Sequence, residues 1–148
     1  MTLQKVDLAD YLSDLTSAAY ELFAHETVKI NFDVESIVTN LDIATPVGLI
    51  MMEAMTNAFR HGLKRGSGEV AISLHYNETG PYIDDKIPCE IILVIKDSGA
   101  GFPKKIQEGL GYKLIDALAN QMHAKVIRTN QNGAVFKLII PNILENRP

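Results

Sequence analysis

Glu53-Ala54-Met55-Thr56-Asn57-Ala58-Phe59-Arg60-His61-Gly62 reads as the end of a helix with two unlike faces. Helical residues advance by about 100° each. Glu53, Asn57, Arg60 and His61 therefore share one polar stripe. Met51, Met55, Ala58 and Phe59 fall on the opposite side and are expected in the core, with the methionines as filler. The stripe has two readings. One is a solvated face over a core. The other is a hard-oxygen site, because an amide oxygen beside a carboxylate suits Mg²⁺, which keeps several waters and bridges to phosphates. Arg60 and His61 bring donors for anionic oxygens to the same end.

Two further motifs follow in order. Asp97-Ser98-Gly99-Ala100-Gly101-Phe102-Pro103 comes after an apolar run. A carboxylate at a strand end accepts a hydrogen bond from an exocyclic amine, and Gly99 and Gly101 let backbone approach a flat ligand. An ordinary strand-to-loop turn is the alternative. Gly109-Leu110-Gly111-Tyr112-Lys113-Leu114 opens a helix, where free N–H groups and the helix dipole favour an anion. Lys113 adds a point charge. Each motif is weak alone. In this order they describe a metal-binding helix, a base-reading loop and a phosphate cradle. G-x-x-x-x-G-K-[ST] is absent, and neither glycine pair extends to G-x-G-x-x-G. No Cys/His spacing suggests zinc. His25, His61, His75 and His123 lie in unrelated contexts, and no G-x-S-x-G occurs, so no hydrolase triad is indicated.

The chain has 148 residues, 47% of them hydrophobic and 22% charged. One globular domain with a real core is expected. A net charge of −4 argues against a nucleic-acid binder. No apolar run approaches a membrane span, and the start lacks a signal-peptide core, so no membrane contact is expected. The single cysteine, Cys89, sits among Ile91, Ile92, Leu93 and Val94, which suggests a buried thiol and a cytoplasmic location.

Working outward, Asp7 to about His25 patterns as an amphipathic helix capped by Asp7, with Leu8, Tyr11, Leu12, Leu15, Ala19 and Leu22 inward. Val28 to Val34 alternates like a half-buried strand. Leu41-Asp42-Ile43 reads as a short extension or edge piece. Thr45-Pro46 reads as an N-cap and first helical residue, with the helix running to about His61. Val70, Ile72, Leu74 and Tyr76 mark a strand. Asn77 to Pro88 is a loop or long hairpin end. Glu90 to Lys96 resembles a strand covered on both faces. Asp97 to Glu108 is irregular. A helix follows from Gly111 to about His123, with Leu114, Ile115, Leu118, Ala119 and Met122 inward. Strands at about Lys125 to Thr129 and Ala134 to Ile140 flank Asn130-Gln131-Asn132-Gly133, a hairpin signal. Asn142 to Pro148 reads as a loose tail. Hairpins mixed with helices predict an α/β (α+β) two-layer sandwich: a mixed, mainly antiparallel sheet with three helices on one face.

Together the three motifs resemble the N, G1 and G2 boxes of the GHKL superfamily with its Bergerat ATP-binding fold, most closely the catalytic domain of HisKA_2 or HWE-type sensor histidine kinases. The resemblance runs from Val6-Asp7-Leu8 to Phe136-Lys137-Leu138-Ile139-Ile140-Pro141. It implies that Asp97 reads the adenine amino group and that Gly99 and Gly101 shape the adenine pocket. It implies that Asn57 coordinates Mg²⁺ through the phosphates and that Glu53 assists phosphoryl transfer as base or by orienting the acceptor. Arg60, His61 and Lys113 would contact phosphate, and Gly109, Leu110 and Gly111 would offer donors to the triphosphate of ATP.

Three features depart from the family pattern. Ser98 stands where Asn or Asp is usual. Ala134 replaces a Thr and lacks its hydroxyl. Asn77 to Pro88 looks like an insertion. No histidine here has the helical context of a phospho-acceptor, and the stretch before Val28 is too short for the helical hairpin that carries one. The resemblance therefore implies a single catalytic domain at 1–148, acting with a histidine-bearing dimerisation domain and a response regulator. Two alternatives stay open: a stand-alone serine kinase that binds a sigma factor, and a degenerate module that binds a protein without turning over ATP.

Overall fold

Asp7 sets the start of the first helix. Its Oδ1 accepts a hydrogen bond from the Ala9 N–H at 2.8 Å, satisfying one of the donors a helix start leaves open. In this computed structural model, residues 4–23, 27–63, 68–102 and 110–145 are described. Their elements are β1 (Lys5–Asp7), α1 (Leu8–Phe23), β2 (Val28–Val34), β3 (Val38–Asn40), α2 (Leu41–Asn57), a π-helical turn (Ala58–Gly62), β4 (Gly68–Glu78), β5 (Lys86–Asp97), α3 (Leu110–Gln121), β6 (Lys125–Asn130) and β7 (Ala134–Glu145). His25 and Gly109 lie outside the described residues, as do the side chains of His61 and Leu110.

The main sheet has the order β2-β4-β5-β7-β6. Only β2 and β4 run parallel, and every other pair is antiparallel. This is the expected mixed, mainly antiparallel sheet. Val70, Ile72, Leu74, Leu93, Ile95, Phe136 and Leu138 face Leu8, Leu12, Ile50, Met51, Met55, Ile115 and Ala119 across one continuous core. Cys89 is buried as expected.

Several expectations need correction. Leu41-Asp42-Ile43 is helical, because Val38–Asn40 pairs with Lys5–Asp7 in a small separate sheet and α2 starts directly after it. Asn40, not Thr45, is the N-cap residue. Pro46 therefore lies inside α2, where its ring nitrogen cannot donate to the carbonyl four residues earlier. Leu22 is 71% and Leu114 41% exposed. The inward face of α1 ends at Ala19. The stripe of α3 is centred on Ile115, Ala119 and Met122, which leaves Leu114 on its flank. The helices cover only one face of β5, so Ile92 and Val94 are half-buried rather than enclosed.

The supposed loose tail is strand for part of its length. Asn142 to Glu145 pairs with Cys89 to Lys86. The segment read as an insertion is a long hairpin end. Asp84 and Asp85 both have positive φ, and Ile83 and Lys86 exchange two backbone hydrogen bonds of 2.9 Å across them. That is the primed turn that matches strand twist.

Candidate functional site

The end of β5 carries Asp97, the only charged side chain in the buried set among the described residues, at 5% exposure. A carboxylate so placed is costly unless hydrogen-bonded. Its Oδ1 accepts from the Gly99 N–H at 2.9 Å and the Ala134 N–H at 3.1 Å. Oδ2 has no hydrogen bond to any described residue. One oxygen is thus fixed by the fold. Ala134 contributes through its backbone, so the missing hydroxyl does not disturb this contact. Gly133, at φ +136, packs so closely that a Cβ would collide with the Asp97 carbonyl oxygen.

Ser98 turns the chain back onto β4. Its N–H donates to the Glu69 carbonyl at 3.0 Å, and its Oγ accepts from the Glu69 N–H at 2.9 Å. The side chain that departs from the family pattern thus ties the loop to the sheet. Gly99 and Gly101 follow in the loop.

Glu53 and Asn57 sit half-buried at the end of α2, with Met55, Ala58 and Phe59 on the buried side. The α-helix ends at Asn57. The next turn is π-helical, closed by the Leu63 N–H donating to the Ala58 carbonyl at 3.0 Å. A π turn holds an extra residue. Arg60, which is exposed, and His61 therefore do not continue the 100° progression read from the sequence.

The first turn of α3 meets α2 at Gly111. A Cβ on Gly111 would collide with Glu53 Oε1, so the helix start and the carboxylate are immediate neighbours. Lys113 is exposed on α3. The geometry therefore joins Glu53 to Gly111 and Asp97 to Gly99, and it leaves Arg60 and Lys113 on the surface.

Sequence reasoning missed the supports of the site. The Asn130 side chain bonds both backbone groups of Phe102. The Arg128 guanidinium lies 4.7 Å from the Tyr112 ring centroid and 5.7 Å from that of Phe136, with Nη1 3.9 Å from Asp116 Oδ1. This cation–π stack ties the first turn of α3 to the β6–β7 hairpin. Asn-Gly at 132–133 signalled only a hairpin, and nothing local marked Asn130 or Arg128.

Glu53 and Asn57 offer hard oxygens of the kind Mg²⁺ takes. Among the described residues, no group of three or more His, Cys, Asp or Glu side chains is placed to hold a metal. The donor set thus fits an ion that brings other ligands with it, and does not form a closed protein cage. No described helix is long and apolar enough to cross a membrane.

Residues 42–143 match the family described as "Histidine kinase-, DNA gyrase B-, and HSP90-like ATPase". A curated relative, blue-light-activated histidine kinase 2 of Erythrobacter litoralis (strain HTCC2594), is 24% identical over 144 residues. That match covers 92% of this chain but 38% of the relative. Among solved structures, the histidine kinase domain of the Erythrobacter litoralis EL346 blue-light-activated kinase superposes with a TM-score of 0.78 at 22% identity. It covers 92% of this chain and 61% of that one. Full-length ShkA in complex with AMPPNP superposes with a TM-score of 0.72 at 19% identity, covering 100% of this chain and 33% of that one. These likenesses concern the fold.

Proposed function

The chain belongs to the family of histidine kinase-, DNA gyrase B- and HSP90-like ATPases, and from that premise we propose that it is the ATP-binding catalytic domain of a two-component sensor histidine kinase. The observation that carries this reading is the Asp97 carboxylate, buried, with Oδ1 held by two backbone N–H groups, so that Oδ2 is the oxygen we assign to a ligand. Such an oxygen accepts the exocyclic amine of adenine. Gly99 and Gly101 bring backbone against the base. Gly109, Leu110 and Gly111 would give N–H donors to the triphosphate, and Arg60, His61 and Lys113 would supply charge or donors to its phosphates. The one core that joins all three helices supports residues 1–148 acting as a single catalytic domain.

In the proposed reaction the bond between the γ-phosphorus and its bridging oxygen breaks. A new bond forms to an imidazole nitrogen of a histidine on a separate dimerisation domain, and ADP leaves. Glu53 takes the imidazole proton or orients the ring. Asn57 would hold Mg²⁺ through its amide oxygen, and the ion would neutralise phosphate charge. Positioning and charge neutralisation supply most of the rate in such transfers. A response regulator would then receive the phosphoryl group, and ATP as substrate favours a cytoplasmic site of action.

Two variants test the roles. Asn57→Leu, which keeps the size of the side chain and removes its oxygen, is expected to lower MgATP affinity about tenfold to a hundredfold and to change Mg-free binding little. Calorimetry with and without Mg²⁺ measures this, and unaltered Mg dependence refutes the metal role. Gly111→Ala is expected to displace the flexible Glu53 carboxylate rather than unfold the chain. Its phosphoryl-transfer rate should fall at least tenfold with ATP affinity reduced less. Equal losses in both would sink the assignment of Glu53 to the chemical step.

A further inference from the structure

Asn130 ends β6, and its side-chain amide meets one residue across the site. Its Oδ1 accepts from the Phe102 N–H at 2.7 Å, and its Nδ2 donates to the Phe102 carbonyl at 3.2 Å. The amide thus satisfies both backbone groups of a loop residue, as a neighbouring strand would. An aspartate can only accept there, and a serine has one short hydroxyl. Gly101 has φ +87, and a Cβ on it would lie 2.7 Å from Asn130 Oδ1, so the loop closes directly onto this amide.

The same hairpin holds the other end of the loop. Asn130 pairs with Ala134 in the β6–β7 ladder, and the Ala134 N–H donates to Asp97. Inside the turn, the Gln131 N–H donates to the Gly133 carbonyl at 2.9 Å. The hairpin end from Asn130 to Ala134 therefore grips residues 97–102 at both limits: Asp97 through a backbone N–H, and Phe102 through the Asn130 side chain. Gly99 and Gly101 lie between these two anchors.

We propose that Asn130 is a positioning residue for the nucleotide base, holding the Gly99–Gly101 backbone at the distance from Asp97 that admits adenine and disfavours guanine. This rests on the assignment of Asp97 as the adenine reader. Asn130 is itself exposed, and it acts through the loop rather than by touching the base.

The test compares the unmodified chain with Asn130→Ala and Asn130→Asp. It measures ATP and GTP affinity by calorimetry, thermal unfolding, and amide exchange at Phe102 without nucleotide. Asn130→Ala should weaken ATP binding about tenfold, narrow the preference for ATP over GTP, speed Phe102 exchange and leave the melting temperature close to that of the unmodified chain. Asn130→Asp keeps the acceptor for the Phe102 N–H and loses the donor, so its ATP affinity should fall between the two. Unmodified affinity and selectivity in Asn130→Ala overturns the positioning role while leaving the reading of Asp97 intact. Losses that simply follow a fall in melting temperature in both variants also overturn it. No saturable ATP binding by the unmodified chain overturns the adenine reading, and the positioning role with it, even if Phe102 exchange responds as expected.

Discussion

Asp97→Asn is expected to lower ATP affinity by about tenfold to a hundredfold, the range for losing a hydrogen bond to a charged group. The fold should survive. Oδ1 already accepts from the Gly99 and Ala134 N–H groups, and an asparagine keeps an oxygen for both. Those two donors dictate the orientation of the new amide, whose NH₂ must then occupy the place of Oδ2. A donor would face the donor of the adenine amine, and the attraction becomes a repulsion. Calorimetry with ATP reads the loss, and a thermal scan reads the fold. At about 2–4 °C per kcal/mol for a chain of this size, a melting shift of a few degrees is the most the variant should show. Unchanged ATP affinity would remove Asp97 from the site.

Gly133→Ala is expected to be the most destabilising single change at the site. The residue has φ +136, where a side chain is strained, and its Cβ would strike the backbone carbonyl of Asp97. Backbone strain of about 1–3 kcal/mol adds to overpacking of about 1–3 kcal/mol. The obstacle is main chain, so it cannot swing aside as a side chain would. The turn must instead lift from Asp97, carrying the Ala134 N–H with it and freeing the carboxylate. A fall in melting temperature of about 10 °C should therefore accompany loss of ATP binding. A variant with normal stability and normal affinity would contradict the close packing of the hairpin on Asp97.

The parts of the site that rest on residue type were legible in the sequence. A carboxylate after an apolar run, a glycine at a helix start and an amide one turn beyond a glutamate each carry their chemistry in their identity. The fold class was legible for a similar reason, since strand and helix periods were clean at Val28 to Val34, Val70 to Tyr76 and Lys125 to Ile140. What escaped depends on contacts distant in sequence. Thr45-Pro46 has the local form of a helix start, yet the pairing of β3 with β1 begins α2 at Leu41. The π turn after Asn57 leaves no periodic trace in the sequence. Asn130 reaches Phe102 over a separation of 28 positions, and only the folded hairpin brings them together. Leu22 and Leu114 show that a helical stripe read at 3.6 residues per turn is wider than the face a neighbour covers.

Ser98 and Ala134 both depart from the family pattern. The geometry assigns both a supporting part. Ser98 bonds the start of β4 through its backbone and its hydroxyl, and Ala134 holds Asp97 through its N–H. Neither contact needs the side chain that the family usually has.

The most direct test of the account is a calorimetric titration of the unmodified chain with ATP, in the presence and absence of Mg²⁺. The account predicts saturable binding that strengthens with Mg²⁺ and exceeds that of GTP. Absence of binding at millimolar ATP would contradict it, and the chain would then be a protein-binding module built on an ATPase fold.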